Sequence, residues 1–428
     1  KDLHYDRLPG FVSGLVTDGE SVFTGFGHSL QALAVADGST RWRNDAWDGG
    51  EGSTPTMTLG AGILVASSHW RGLYGHDAAT GELKPRYDGS LPPLTGGIGR
   101  AQQGLDPING KYNMGCIQTS RGCPIGCDFC SVTLFNGREI RRRPIDEIIE
   151  EWNSSDQPFM FVVDDNFFGT SKAHAEWAKE LLRAIIKRGK KRHWFSQTSV
   201  NMGNDPEGVK LAQKAGCCGM LVGLETFNEA NLKTYSKGLN TKVLDKYRTL
   251  IDGFHKGGLA VFGCFIMGAD EDTEDVVADT MLKSVQIGVD ILQITNLTPL
   301  PGTKLYDRWM EEGKIHATNY PEDWERYTFV ETVYNPAKMT SDRLDEVIYE
   351  MYHAAATEPW VWKRTIKTLL RTRSLATAIF VHQTNAGFKK LAISQAARAK
   401  EQLGFTPDDN ERTRKLHKAC SFNCGKAE

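Results

Sequence analysis

The chain has 428 residues and a mass of 47.6 kDa, enough to bury a large core over more than one domain. Its 51 Lys and Arg against 53 Asp and Glu leave a net charge of -2, which excludes a general affinity for nucleic acid. Nine cysteines are too few for a disulfide scaffold, no run approaches the roughly 18 apolar residues that span a bilayer, and residues 1–6 carry no apolar leader, so the composition predicts a soluble, cytoplasmic protein.

Within a β-rich module over residues 1–90, residues 11–90 are rich in Gly, Ser, Thr and short apolar runs with turn signals, the pattern of short antiparallel strands. Leu30-Gln31-Ala32-Leu33-Ala34-Val35-Ala36-Asp37-Gly38 is matched 43 residues later by Leu73-Tyr74-Gly75-His76-Asp77-Ala78-Ala79-Thr80-Gly81, a period in the range of propeller blades. The repeat is similar to those of PQQ-like β-propellers. Two blades cannot close a propeller, so this β-rich module reads as an appendage, part of an interface or a remnant. Residues 91–112, with Pro92, Pro93, Gly96, Gly97, Gly99, Gly104, Pro107 and Gly110, read as a linker.

From 113 to 315 short apolar runs alternate with helical stretches, the signature of parallel βαβ units. Strands are predicted at 115–119, 159–164, 193–198, 218–225, 259–266 and 290–295, with helices at 145–152, 174–187 and 242–256 between them. Right-handed crossovers curl such units into an open, partial (β/α)6 barrel of the TIM type, whose C-terminal mouth collects the residues at the strand ends. Just after the first strand stand Cys123, Cys127 and Cys130, spaced C-x3-C-x2-C. Three thiolates so spaced suit an iron–sulfur cluster with one iron left without a protein ligand. A structural zinc site or plain buried thiols are the alternatives, and zinc lacks a fourth His or Cys nearby in the sequence.

The loop Thr119-Ser120-Arg121-Gly122-Cys123-Pro124-Ile125-Gly126-Cys127-Asp128-Phe129-Cys130, with an aromatic before its last cysteine, resembles the radical SAM superfamily. Val163-Asp164-Asp165-Asn166-Phe167-Phe168, Val222-Gly223-Leu224-Glu225-Thr226 and Thr298-Pro299-Leu300-Pro301-Gly302-Thr303 are similar to its branch usually fused to a cobalamin-binding domain. The resemblance implies a 4Fe–4S cluster on the three cysteines, with S-adenosylmethionine chelating the open iron. Reductive cleavage would then give a 5′-deoxyadenosyl radical that abstracts a substrate hydrogen. It further implies that Asp164, Asp165 and Asn166 hold the methionyl amino group, or else cap the helix that begins near Ser171. Ser196, Gln197 and Glu225 fall in the ribose and methionyl carboxylate region, or are simply polar residues at strand ends. By the same resemblance Ile266 would pack on the adenine, with Gly268 in the same fifth-strand motif, and the turn with Pro299 and Pro301 would lie beside it. Cys264 stands where that motif usually has glycine. The Asp-x-His-x-x-Gly signature of cobalamin binding is missing, since His69-Trp70-Arg71-Gly72 is preceded by Ser67 and lies in the β-repeat.

Cys116, Cys217, Cys218 and Cys264 read as buried free thiols, and Cys420 and Cys424 as a terminal tail or, less simply, ligands of a second centre. Arg141-Arg142-Arg143 reads as a solvated turn, with docking of an acidic electron donor as the alternative. Residues 316–428 form a helical C-terminal region, entered through a loop with Tyr320, Trp324, Tyr327, Phe329 and Tyr334. Its stretch from 360 onward holds 14 Lys and Arg against 5 acidic residues. This basic, amphipathic segment reads as a helix closing the barrel, or as a contact for a membrane surface or an acidic partner.

The expected function is radical modification of a small-molecule or lipid-like substrate, with cobalamin-dependent methyl transfer leading and radical rearrangement or cyclisation as its rival. An electron donor such as flavodoxin or ferredoxin is implied as partner. The reading from a different class is a non-catalytic iron–sulfur or membrane-surface scaffold.

Overall fold

The computed structural model describes residues 16–26, 29–45, 56–60, 62–68, 72–84, 114–320, 322–356, 360–405 and 410–420. The linker read at 91–112, His69 and Cys424 lie outside them, as does the side chain of Cys420. The chain divides into two compact units, Lys1–Pro92 and Pro93–Glu428.

In the first unit β1 (Val16–Thr17), β2 (Ser21–Phe26), β3 (Ser29–Ala34) and β4 (Thr40–Asn44) form one antiparallel meander. A second is made by β5 (Thr56–Gly60), β6 (Ile63–Ser68) and β7 (Gly72–Asp77). Phe23, Leu30 and Ala32 of the first sheet share one buried cluster with Met57, Leu64 and Ala66 of the second. The sequence repeat is a geometric repeat. After β3 the Gly38 and Ala34 amides donate to the carbonyls of Ala34 and Ser39, and after β7 those of Gly81 and Asp77 donate to Asp77 and Glu82. Trp42 lies over the second turn, its indole N–H donating to the Ala78 carbonyl at 2.9 Å.

The second unit is built on a parallel sheet in which the strands follow one another in chain order. They are β8 (Gly115–Ile117), β11 (Phe159–Val162), β12 (His193–Thr198), β13 (Cys217–Glu225), β14 (Ala260–Met267) and β15 (Ile291–Asn296). A short antiparallel pair, β9 (Ser120–Arg121) with β10 (Arg141–Arg142), brackets the cysteine loop and its single turn α1 (Val132–Phe135). The crossover helices are α2 (Ile145–Ser154), α3 (Lys172–Arg188), α4 (Pro206–Lys214), α5 (Glu229–Thr234), α6 (Gly238–Val243), α7 (Tyr247–Gly257) and α8 (Glu274–Gln286). After β15 come α9 (Lys304–Glu311), α10 (Ser341–Ala356), α11 (Trp360–Thr372), α12 (Leu375–Leu403) and α13 (Glu411–Cys420). This is the open (β/α)6 arrangement with a helical C-terminal region that the apolar periodicity predicts.

The strands alternate strictly. Met160, Val162, Trp194, Met220 and Val222 point outward and pack with Ile148 and Trp152 of α2 and Leu181, Leu182 and Ile185 of α3. Phe159, Phe195, Leu221 and Phe262 point inward, where Phe380 and Val381 of α12 meet them. The Phe380 ring lies 5.8 Å from that of Phe159 and 5.6 Å from that of Phe195, while Phe161 and Phe195 stack at 4.4 Å. The Thr377 hydroxyl donates to Gly258 and the Asn385 amide to Asp290, so α12 seals the N-terminal ends of β14 and β15. The basic C-terminal segment thus closes the barrel.

Two expectations are corrected. Arg141-Arg142-Arg143 is not a solvated turn: Arg143 is 1% exposed, paired with Glu151 at 2.7 Å and donating to the Gln118 carbonyl. Arg142 donates to His174 Nδ1, an imidazole that burial pushes down to about 4 and so keeps neutral as an acceptor. The helix read over 242–256 is broken, because Asn240 and Tyr247 both turn in to donate to the carbonyls at the end of β13. Of the aromatics in the loop entering the C-terminal region, Phe329 is 42% exposed and Tyr334 buried.

Candidate functional site

The cysteine loop hangs from the C-terminal end of β8 and is braced from β11. Asp164 is completely buried, and its oxygens accept from the Thr119 amide at 2.6 Å, the Thr119 hydroxyl at 2.5 Å and the Ser120 hydroxyl at 2.7 Å. Burial lifts this carboxyl to about 6 although each of those hydrogen bonds pulls it down. Asp165 accepts from the Gly122 amide at 2.7 Å and from Asn136 at the other end of the loop. Gly122 takes φ +100°, which leaves its missing side chain no room against the Glu139 carbonyl. Asn166 bonds Ser199 and accepts from the Gly169 amide. The cap of α3 is Ser171, which accepts from the His174 amide, so the Asp-Asp-Asn run caps no helix. Asp164 and Asp165 hold the loop to the sheet, and Asn166 ties the end of β11 to Ser199.

Cys127 is buried and Cys123 and Cys130 half-buried. Burial pushes the Cys127 thiol up to about 12 and Cys130 upward as well, opposed by the nearby Lys237 ammonium. Among the described residues no three His, Cys, Asp or Glu side chains converge on a single metal ion. Thiols that each take a different iron need not converge, so the donor set fits a polynuclear cluster better than mononuclear zinc. Buried thiols are costly to ionise alone, and iron together with a buried cation offsets that cost.

That cation is a residue with no local signal in the sequence. Lys237, 9% exposed, pairs with Glu225 at the end of β13; burial pulls its pKa down, but the Glu225 carboxylate outweighs this and the net shift is upward. Glu225 itself sits at φ +67° beyond an irregularity in the β13–β14 register, a strained backbone at the barrel mouth. A side chain at Gly223 would strike both partners, with Glu225 Oε1 at 2.4 Å and Lys237 Nζ at 2.9 Å. Lys237 follows a short helix in a Ser-Lys-Gly run that looks like any exposed turn.

Opposite, Phe129 meets Tyr235 edge-on at 5.3 Å and packs, with Ile266, on the cluster of Leu297, Leu305 and Trp309. The Asp128 amide donates to Tyr235, and the Asp128 carbonyl accepts from Leu305 at the start of α9. Gly268, φ +101°, is packed beneath Tyr334, whose hydroxyl donates to the Gly268 carbonyl, and the amides of Gly268 and Ala269 donate to Asp272. Pro299 is buried and Pro301 half-buried in the turn that Thr303 closes as the cap of α9. Gln197 is half-buried on the inward face of β12. Ser196 is on the other face, fully buried, its hydroxyl donating to the Val162 carbonyl. The structure therefore brings Phe129, Glu225 and Ile266 to the cysteine loop's side of the mouth and turns Ser196 away. Cys217 and Cys218 are buried thiols, Cys116 and Cys264 half-buried ones, with the Cys264 sulfur 3.6 Å from Gln293 Oε1.

Residues 117–283 match the family model described as the radical SAM superfamily. The bacteriochlorophyllide d C-12(1)-methyltransferase of Chlorobaculum tepidum is 30% identical over 265 residues, 58% of this chain and 55% of that protein. The bacteriochlorophyllide d C-8(2)-methyltransferase of the same organism is 28% identical over 343 residues, 74% of this chain and 70% of that one. The solved structure of the cobalamin-dependent S-adenosylmethionine radical enzyme OxsB with aqua-cobalamin bound is 13% identical, with a TM-score of 0.47 over 82% of this chain and 64% of that chain. The chain thus spans little more than half the length of the first of these curated relatives. Over residues 117–283 the chain therefore resembles the radical SAM superfamily.

Proposed function

We propose that this chain is a radical SAM enzyme acting on an unactivated C–H bond, with methyl transfer as its overall reaction. The observation that carries this is the braced cysteine loop facing a buried Lys237–Glu225 pair at the barrel mouth. The methyltransferase names of the related proteins support the reaction class.

Cys123, Cys127 and Cys130 would hold the 4Fe–4S cluster. When bound, the cluster and S-adenosylmethionine supply one-electron reductive cleavage at the sulfonium and hence the radical that attacks substrate. The chain's own residues do the rest. Asp164 and Asp165 fix the loop to β11, Lys237 compensates negative charge among the thiols, and Phe129 and Ile266 offer an apolar surface that excludes water. Phe161, stacked on the floor residue Phe195, presents an aromatic ring on the inner wall, a surface suited to an apolar, lipid-like or planar substrate. Reducing equivalents would come from a small electron-transfer protein such as flavodoxin or ferredoxin.

Anaerobically reconstituted protein with a strong reductant should cleave S-adenosylmethionine to methionine and 5′-deoxyadenosine, and Cys127→Ala should abolish this. Cleavage that survives Cys127→Ala sinks the proposal. No Asp-x-His-x-x-Gly run occurs in the sequence, so cobalamin decides between methyl transfer and a radical rearrangement or cyclisation. A corrin absorption at stoichiometric level after supplementation supports the former, and its absence the latter.

A further inference from the structure

Far from the cysteine loop in sequence, α11 and the first turns of α12 form an antiparallel hairpin with an unusual surface. Residues 360–390 contain seven Lys and Arg and no Asp or Glu. Large apolar side chains stand out from this hairpin: Trp362 (56% exposed), Ile366 (42%), Leu369 (38%) and Leu370 (69%) on α11, and Leu375 (66%) and Ile379 (47%) on α12. Spacings of three and four residues align those of α11 in one stripe, and those of α12 repeat at four. Single exposed apolar residues are ordinary, but six on one two-helix face are not.

A second stripe runs beside the first, one residue on in the helical repeat: Lys363, Lys367 and Arg371. Together with Arg364 they line a narrow cleft walled on the α8 side by Val285 and Val289. Asp290 also borders the cleft, but its carboxylate is taken up by His255 at 2.8 Å, the Val261 amide at 2.8 Å and the Thr368 hydroxyl at 2.5 Å. Among the described residues no carboxylate pairs with Lys363, Arg364 or Arg371. Arg364 is the telling group: it is 9% exposed, its Nη1 reaches Asn385 Oδ1 only at 3.5 Å, and its Nη2 has no hydrogen-bond partner. A guanidinium held this deep without an anion is costly, and a phosphate seated over the cleft would compensate it.

We propose that the α11–α12 hairpin docks this chain on an anionic lipid bilayer. The apolar stripe enters the acyl boundary, and the basic stripe and Arg364 meet headgroup phosphates. The charge decides the occupant, because apolar residues interleaved with cations and no acid suit a negatively charged interface rather than a mixed-charge protein surface. The inference is independent of the radical chemistry and would place that chemistry beside lipid-dissolved substrates.

The test is flotation of the full chain with vesicles of phosphatidylcholine alone and of phosphatidylcholine with phosphatidylglycerol. Binding should require the anionic lipid and weaken as salt rises. Lys363→Gln and Lys367→Gln should each lower partitioning roughly fivefold. Ile366→Ser combined with Leu370→Ser should lower it about tenfold with an unchanged circular-dichroism melting curve, since both side chains are exposed. Overturning results are a full chain that does not float with anionic vesicles, flotation indifferent to both sets of variants, or release by inorganic phosphate alone, which would mark a free-anion site. A dimer in solution that Ile366→Ser with Leu370→Ser dissociates, without flotation, would assign the face to a second copy instead.

Discussion

The two ends of the barrel are built on opposite principles. At the C-terminal mouth polar groups do the holding: Asp164, Asp165, Glu225, Lys237 and Asp272 hold backbone loops and one another in place around three cysteines. At the floor the inward side chains are Phe159, Phe195, Leu221 and Phe262, closed by Phe380 of α12. The floor tolerates exchange of shape for shape, whereas the mouth depends on particular donors meeting particular acceptors. Chemistry is thereby confined to one end, and water is excluded at the other.

The sharpest way to break this comparison is to remove one member of the ion pair. Lys237→Met leaves Glu225 buried and uncompensated and should cost about 3–5 kcal/mol in chemical denaturation, with poorer cluster incorporation. Glu225→Gln with Lys237→Met together should recover part of the loss, because the pair and not its charge alone is what burial penalises. At the floor, Phe380→Ala should cost about 3 kcal/mol as a cavity, and Phe380→Leu markedly less. If the mouth responded to shape as the floor does, the two pairs of variants would behave alike.

Asp164→Ala comes next, at about 2–3 kcal/mol, since it strands the Thr119 amide and two hydroxyls. Its pH dependence has a definite sign. Burial lifts the native carboxyl from 3.8 to about 6, so between those values the folded chain keeps a proton that the unfolded chain has lost. That contribution is fully present below the unfolded value and is lost as pH rises through about 6. The stability difference between wild type and Asp164→Ala should therefore be larger at low pH than at neutral pH. Asp272 and Asp345, also lifted to about 6 by burial, are common to both proteins and cancel. The smallest effect is expected for Gly268→Ala, about 2 kcal/mol, from a left-handed φ and a methyl placed 2.1 Å from the Tyr334 hydroxyl.

The sequence made the strands legible because their apolar runs are short, regularly spaced and separated by helical periods, and it made the cysteine loop legible because ligand spacing is local. What stayed hidden depends on partners far along the chain. Arg143 looks like one of three solvated arginines until Glu151 and the Gln118 carbonyl enclose it. Asp164 and Asp165 read as a ligand-binding pair, and nothing local shows that they also accept from Thr119, Ser120 and Gly122, more than forty positions earlier. Lys237 carries no local signal at all, and although the basic segment reads as closing the barrel, nothing in it singles out Phe380 of α12 as the floor. Even the break between α6 and α7 comes from β13, whose terminal carbonyls draw in Asn240 and Tyr247.

The most direct test of the central claim is iron and acid-labile sulfide analysis of anaerobically reconstituted protein, with low-temperature electron paramagnetic resonance after reduction. The account predicts roughly four irons per chain and a reduced-cluster signal that changes on adding S-adenosylmethionine, both lost in Cys127→Ala. Full iron content in Cys127→Ala, or a wild-type signal indifferent to S-adenosylmethionine, would contradict it.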